Sequence, residues 1–171
     1  MSAPIRVAIR LVVVLGMIVG ISWAIGDAAR NLEARLVASF LARVFGVDVM
    51  SIVDGAILVE QFEAAPVVAR VTLSCSATIG IVTFFAINSV FMRGRPRKQR
   101  LLGFAVASAI WGGVNLVRIS GAVITAERWG PESFEIFHNW IGTAMAVAGA
   151  LVALMFMVSA YLPSSRELRG N

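Results

Sequence analysis

Four runs of apolar residues, each about as long as a bilayer is thick, dominate this sequence of 171 residues. They cover residues 11–26, 76–92, 101–117 and 140–162. A transmembrane helix needs roughly 17–25 predominantly apolar residues, and its backbone must satisfy its own polar groups because hydrocarbon offers no partners. The runs therefore predict an all-α integral membrane protein with about four transmembrane helices. We interpret residues 1–171 as a single membrane domain.

The composition supports a membrane protein and limits the chemistry. Hydrophobic residues make up 58% of the chain and charged residues 15%, against about 25% charged residues in a soluble domain. The net charge of +5 could suggest nucleic acid, but the basic residues flank the apolar runs, as in proteins oriented in a bilayer. We therefore expect membrane lipids rather than nucleic acid as partners. With one Cys and one His, we expect no metal and no cofactor.

The charges also predict which way the helices point. If the N-terminus is inside, the inner segments hold nine basic residues and one acid, with the run 93–100 contributing most of the positive charge. The outer segments, 27–74 and 118–139, then hold six basic residues and nine acids. Cytoplasmic segments carry the excess of Lys and Arg in multi-pass proteins. We expect both termini to be cytoplasmic, in a cell membrane, with segments 27–74 and 118–139 outside.

The first run and the segment after it leave two questions open. Residues 22–24, Ser-Trp-Ala, would suit a signal-peptide cleavage site, although the length of the run favours a retained anchor. Residues 31–46 alternate apolar and charged side chains at helical spacing, which predicts an amphipathic helix. Asp54-Gly55 between two β-branched runs predicts a hairpin. The insert 27–74 is therefore expected to hold a small helix and a β-hairpin-like segment.

Three polar side chains are predicted at the same depth near the outer ends of different helices. Cys75 lies 18 residues before Arg93, and Arg118 lies 18 residues after Arg100. At about 1.5 Å per residue both intervals span roughly 27 Å, close to a bilayer core. His138 is expected at a similar depth or slightly further out. Polar residues are costly in a membrane and tend to mark function there.

These three side chains would support acyl transfer. Cys75 lies near a predicted helix start, where the macrodipole favours a thiolate that can attack a carbonyl. His138 could move the proton, and Arg118 could stabilise the oxyanion. Asn115, one helical turn before Arg118, could orient the guanidinium or the substrate backbone. Glu135 could orient the ring of His138.

Each of these residues also has an ordinary structural interpretation. A lone Cys in a membrane helix is usually a packing residue. An Arg at the end of a span is usually an interfacial anchor, and a lone His is usually hydrogen-bonded structure. From the residues alone, catalysis and packing both stay open.

Local strings around the three residues resemble a known family. They are SCSA (74–77), NLVRI (115–119) and FHNWIG (137–142), in this order on successive helices. Over roughly residues 45–160 the chain resembles the exosortase/archaeosortase family of membrane-embedded cysteine transpeptidases, in a short form. The family cysteine is commonly followed by a small residue and then Gly, whereas Ala77 occupies the second position here.

The resemblance implies catalytic roles for Cys75, Arg118 and His138. Ser76 and Asn139, inside the matching strings, join Asn115 and Glu135 as the residues expected to position the substrate or support the catalytic residues.

The resemblance also implies a function in protein sorting. The substrate would be a membrane-anchored protein with a C-terminal motif, a transmembrane helix and a basic tail. It would be cleaved at the outer membrane face and transferred through a thioester to an acceptor such as a lipid amine. The alternative is a noncatalytic membrane scaffold or assembly factor of the same fold. A transporter is less favoured, because the runs lack a polar stripe that could line a pathway.

Overall fold

The computed structural model describes most of the chain. The described residues are 3–47, 49–51, 53–59, 67–72, 75–92 and 96–159. The predicted basic tail after residue 162 and the start of the basic run, 93–95, lie outside them, as does the second half of the predicted second hairpin strand, 60–62.

The first helix, α1, is one continuous element from Ala3–Phe45. The sequence predicted a membrane span at 11–26 and a separate amphipathic helix at 31–46, but the structure joins them. The linking residues 27–30, Asp-Ala-Ala-Arg, contain good helix formers, and Arg30 forms an ion pair with Asp27 one turn earlier. The helix ends before Gly46, whose φ of 66° suits a glycine C-cap.

A three-stranded antiparallel sheet follows α1, in the order β1-β2-β3. Its strands are β1 (Val49–Ser51), β2 (Ala56–Val59) and β3 (Val67–Arg70). Met50 pairs with Leu58, and Ile57 pairs with Ala69.

The turn between β1 and β2 is the predicted Asp54-Gly55 turn. Both residues have positive φ, 65° and 70°, which explains the Asp-Gly pair. The N–H of Gly55 donates to Oδ1 of Asn31 at 2.7 Å, and a Cβ on Gly55 would lie 3.1 Å from Cβ of Arg30. The hairpin is therefore held directly against α1.

The three strands lie at one end of the molecule, here called the sheet end. Helix α2, Ala77–Phe91, is short and runs away from this end. Helix α3, Arg97–Trp129, runs back to it and extends well beyond the predicted span at 101–117. Pro96 precedes α3, and Gly130 (φ 84°) ends it.

The last helical segment, residues 131–159, changes from α-helical to π-helical winding near its start. Helix α4 covers Pro131–Ile136, a π-helical segment covers Phe137–Ile141, and helix α5 covers Gly142–Ser159. The three elements run on as one apolar rod, which begins nine residues before the predicted span at 140–162. Pro131 suits the first helical position, because the N–H that proline lacks has no intrahelical partner there.

Packing divides the molecule into a sheet end and an opposite end. At the sheet end, α1, the sheet and α3 share a core built around Val37, Leu41, Ile57 and Val123. At the opposite end, Phe84 of α2 packs with Ala107, Ala153 and Met157 of α3 and α5. Helix α3 packs mainly against α5, and α1 packs mainly against α2.

The outer surfaces of these helices are strongly apolar, as a lipid-facing surface requires. Trp23 is 87% exposed, and many Leu, Val and Ile side chains of α1 and α5 are exposed as well. Among the described residues, three helices are long and apolar enough to cross a membrane: Pro4–Phe45, Arg97–Trp129 and Pro131–Ser159, with α2 as a shorter apolar helix. The predicted fold class, an all-α membrane protein with a small β element, is confirmed.

Candidate active site

Cys75 lies in a turn immediately before α2. Its N–H donates to the carbonyl of Thr72 at 3.0 Å, and Oγ1 of Thr72 lies 3.2 Å from Sγ, within reach to donate to it. The cysteine side chain is partly exposed. The thiol is therefore held by a local turn at the end of the helix rather than packed within the bundle, which is the arrangement that a reactive thiol requires.

His138 lies in direct contact with this thiol. Its Nε2 atom is 3.4 Å from Sγ of Cys75, although 63 residues separate the two in the chain. The ring stacks on Phe134 with 5.6 Å between the ring centroids and 5° between the planes. This aromatic contact restricts the plane of the imidazole.

The winding of the chain at His138 is unusual. The π-helical segment Phe137–Ile141 widens the helix locally, and such segments occur frequently at functional sites. Phe137 packs closely on α3, since a Cβ on Gly121 would lie only 2.6 Å from Cζ of its ring. No feature of the sequence periodicity indicated this change of winding.

Asn115 connects Arg118 to the cysteine. Nδ2 of Asn115 donates to the carbonyl oxygen of Cys75 at 2.9 Å, and Nη1 of Arg118 lies 3.5 Å from Oδ1 of Asn115. Both side chains are buried, with exposed fractions of 3% and 8%. Because residues three apart share a helix face, α3 presents the two groups together towards the turn that holds the thiol.

The buried guanidinium of Arg118 can donate a further hydrogen bond. Its Nε atom is buried and has no hydrogen-bond partner among the described residues. In the described ranges, no carboxylate forms an ion pair with Arg118. Burying a cation without a counter-charge costs several kcal/mol as a rough estimate. A group that carries or develops negative charge beside Arg118 would offset this cost.

Glu33 of α1, which no sequence motif indicates, contacts the start of α2. Ser76 is the N-cap, and its Oγ accepts from the N–H of Thr78 at 3.1 Å. Glu33 of α1 accepts from Oγ of Ser76 at 2.6 Å, from the N–H of Ala77 at 3.2 Å and from Oγ1 of Thr78 at 3.2 Å. In the sequence, Glu33 is distinguished only by its place on the polar face of α1. No neighbouring residue indicates its contact with Ser76, which lies 43 positions later.

These contacts change the expected role of the macrodipole of α2. The sequence predicts that the thiol of Cys75 lies at the positive end of this helix. In the structure the N–H groups of Ala77 and Thr78 donate to Glu33 and Ser76. The donor that lies beside Sγ is instead the hydroxyl of Thr72.

Ala77 fits its position without strain. It is the first residue of α2 and is buried, and Asp54 is the one non-glycine residue with positive φ in the described ranges. Position 77 therefore has no conformational need for the glycine that the family commonly has there.

The other predicted positioning residues are placed differently. Ser76 is buried, and its hydroxyl donates to Glu33. Asn139 and Glu135 are both exposed. The ring contact that the structure shows for His138 is with Phe134, not with Glu135.

A small cavity of about 30 Å³ opens beside the thiol and the imidazole. Its walls include Ile57, Val71, Val123 and Phe134, so it is apolar except at Cys75, His138 and Arg70. Within the described residues, no three His, Cys, Asp or Glu side chains converge as metal ligands. The arrangement suits nucleophilic attack by sulfur with an imidazole as proton carrier and a buried cation nearby.

Comparison with known proteins identifies the family. The family model of the transmembrane exosortases (Exosortase_EpsH) matches residues 3–157, which include every described helix except the last two residues of α5. No curated protein and no solved structure matches the chain. Since the match covers most of the sequence, this protein belongs to the transmembrane exosortase family.

Proposed function

We propose that this protein is a membrane-embedded cysteine transpeptidase or endopeptidase that cleaves C-terminal sorting signals of exported proteins. The observation that carries the proposal is the 3.4 Å contact between Sγ of Cys75 and Nε2 of His138. A thiol within hydrogen-bond reach of an imidazole is the arrangement that activates a cysteine nucleophile. Membership of the exosortase family supports the same activity.

The first half of the reaction forms a thioester. Nε2 of His138 takes the proton of the Cys75 thiol, and Sγ attacks the carbonyl carbon of the scissile peptide bond. Arg118 stabilises the negative charge that develops on the carbonyl oxygen. The tetrahedral intermediate then collapses, the C–N bond breaks, and His138 returns the proton to the leaving amine.

The second half transfers the acyl group. An acceptor amine, such as a lipid amine, or a water molecule attacks the thioester carbonyl and loses a proton to His138. The C–S bond breaks, and the thiolate of Cys75 is released and reprotonated. With an amine acceptor the outcome is transpeptidation, and with water it is hydrolysis.

The membrane placement completes the proposal. The positive-inside pattern of the sequence puts the sheet end outside the cytoplasm and both termini within it. Helix α2 has 15 residues and so spans about 22 Å, somewhat less than a hydrocarbon core of about 30 Å. Cys75 would then lie near the outer interface, where a substrate anchored by its own helix presents its motif at a fixed depth.

Replacement of Cys75 tests the function directly. Cells without the endogenous protein would express wild type, Cys75→Ala or Cys75→Ser, together with an exported reporter that ends in a candidate motif, an apolar helix and an arginine cluster. We expect the cleaved form on gels with wild type alone. Because Cys75 is the single cysteine of the chain, a hydroxylamine-sensitive adduct between enzyme and reporter would map to it.

Ser159→Ala, an equally small change at the far end of α5, is the control and should process normally. Normal cleavage by Cys75→Ala at wild-type protein levels would refute the proposal and favour a noncatalytic scaffold.

A further inference from the structure

Glu33 of α1 accepts hydrogen bonds from three consecutive residues at the start of α2. Its two carboxylate oxygens accept from the side chains of Ser76 and Thr78 and from the backbone of Ala77. These are the three residues that directly follow Cys75. Ser76 and Thr78 are buried, with exposed fractions of 3% and 6%, whereas Glu33 is half-buried.

The position of the thiol depends on this set of contacts. Cys75 lies between the local turn with Thr72 and the N-cap Ser76. Its carbonyl is held by Asn115 of α3, and the residue after it is held by Glu33 of α1. The cysteine is thus fixed between two helices that are remote in sequence.

We propose that Glu33 is a positioning residue for the nucleophile: it fixes the first turn of α2 so that Sγ of Cys75 stays against Nε2 of His138. This inference rests on the proposed function of Cys75, but it concerns the geometry of the thiol and can be measured without a substrate. A displacement of about 1 Å at a reacting group can cost up to about 100-fold in rate. Hydrogen bonds to a charged acceptor are stronger than those between neutral groups, so three of them can hold the turn.

Iodoacetamide provides the readout, because it can alkylate only one thiol in this chain. The full-length protein in lipid nanodiscs would be alkylated at pH 7, and the rate constant would be measured by mass spectrometry. The variants are Glu33→Ala, Glu33→Gln, His138→Ala and the double variant Glu33→Ala/His138→Ala. Glu132→Gln, an exposed acid on α4, is the matched control for charge removal.

If Glu33 holds the thiol against His138, Glu33→Ala slows alkylation by about 10-fold or more, and His138→Ala slows it similarly. The double variant is then no slower than either single variant, because the two changes remove the same contact. Glu33→Gln keeps an acceptor for the two hydroxyl groups and recovers at least part of the rate. Glu132→Gln reacts like wild type.

Three results would overturn the inference: an unchanged rate in both Glu33 variants, a faster rate in both, or additive effects of Glu33→Ala and His138→Ala. A faster rate would mean that Glu33 acts only as a negative charge near the thiol. If Glu33→Ala does not fold, Glu33→Asp, whose shorter side chain withdraws the carboxylate from Ser76 and Thr78, takes its place in the cycle with His138→Ala.

The two proposals fail separately. Normal reporter cleavage by Cys75→Ala would refute the transpeptidase function whatever the alkylation rates are. A transpeptidase that needs Cys75, with alkylation insensitive to Glu33, would refute only the role of Glu33.

Discussion

The two ends of helix α2 are stabilised by different kinds of contact. At its first turn, Glu33, Ser76 and Thr78 form a polar cluster, and Nε1 of Trp111 donates to the carbonyl of Ala77 at 3.0 Å. In its second half the contacts are mostly apolar. Ala86 and Val90 pack on Val14 of α1, and Phe84 packs with Met157 of α5.

The difference indicates where the helix bundle is adapted for chemistry. Buried polar groups in a membrane protein are expensive and are kept mainly where function needs them. Ser76, Thr78, Asn115 and Arg118 are buried around the turn that holds Cys75, whereas in the second half of α2 the buried Asn88 donates to the carbonyl of Arg100. The opposite end relies on close packing of apolar side chains, the main source of helix association in lipid. Changes at the first end should therefore affect activity, and changes at the second end should affect stability.

The largest expected effect comes from Arg118→Ala. Loss of the buried cation should lower the cleavage rate of the reporter by about 10²–10³-fold, the usual cost of removing one oxyanion donor. The thermal unfolding temperature should stay the same or rise, because a buried and poorly paired guanidinium contributes little to stability. Rates are measured by reporter cleavage in nanodiscs, and unfolding by a thermal shift of the same sample.

Arg128→Ala, which removes an exposed arginine of the same helix, is the control and should cleave at the wild-type rate. Equal losses in both variants would mean that general charge, not the position of Arg118, supports activity.

The next effect concerns the apolar end. Met157 is completely buried among Phe84, Ala107 and Ala153, so Met157→Ala leaves a cavity. We expect a loss on the order of 2 kcal/mol in the free energy of unfolding, with unchanged cleavage per folded molecule. The same substitution at Met155, which is 70% exposed, should change neither quantity. A drop in activity at constant folded fraction would show that the two ends are coupled.

The smallest effect tests the contact between α5 and Arg118. A Cβ on Gly142 would lie 3.0 Å from Nε of Arg118 and 3.3 Å from the carbonyl oxygen of Phe137. Gly142→Ala should displace the guanidinium by a few tenths of an ångström and slow cleavage by about 10-fold, with little change in unfolding temperature.

Gly113→Ala provides the comparison, since a Cβ there meets nothing within 4 Å. It should cleave normally and gain about 0.5–1 kcal/mol in stability from the higher helix propensity of alanine. Similar slowing in both glycine variants would argue against a specific contact at Gly142.

Several features were predictable because they depend on neighbouring residues alone. The apolar runs gave the membrane helices, and the Asp54-Gly55 pair gave the hairpin that the structure contains. Equal spacing from the basic loop predicts that Cys75 and Arg118 lie at the same depth in the membrane. Their catalytic roles stay predictions, as do those of His138 and Asn115.

Other features could not be predicted from local patterns. The first span and the amphipathic segment form one continuous helix because residues 27–30 are helical. The sequence of these four residues is compatible with both a helix and a turn. The π-helical winding at His138 and the ring contact with Phe134 depend on how that arm packs on Gly121 of α3. Neither changes the hydrophobic periodicity that sequence analysis uses.

The sequence by itself thus determined a membrane-embedded helical protein with one thiol, one imidazole and a set of arginines near helix ends. Only the tertiary structure decided that Sγ of Cys75 lies 3.4 Å from Nε2 of His138 and that Glu33 accepts hydrogen bonds from the residues that directly follow Cys75. The physical reason is that run length and periodicity fix where a helix lies in the membrane. Its rotation and neighbours are fixed by side-chain packing between segments far apart in the chain.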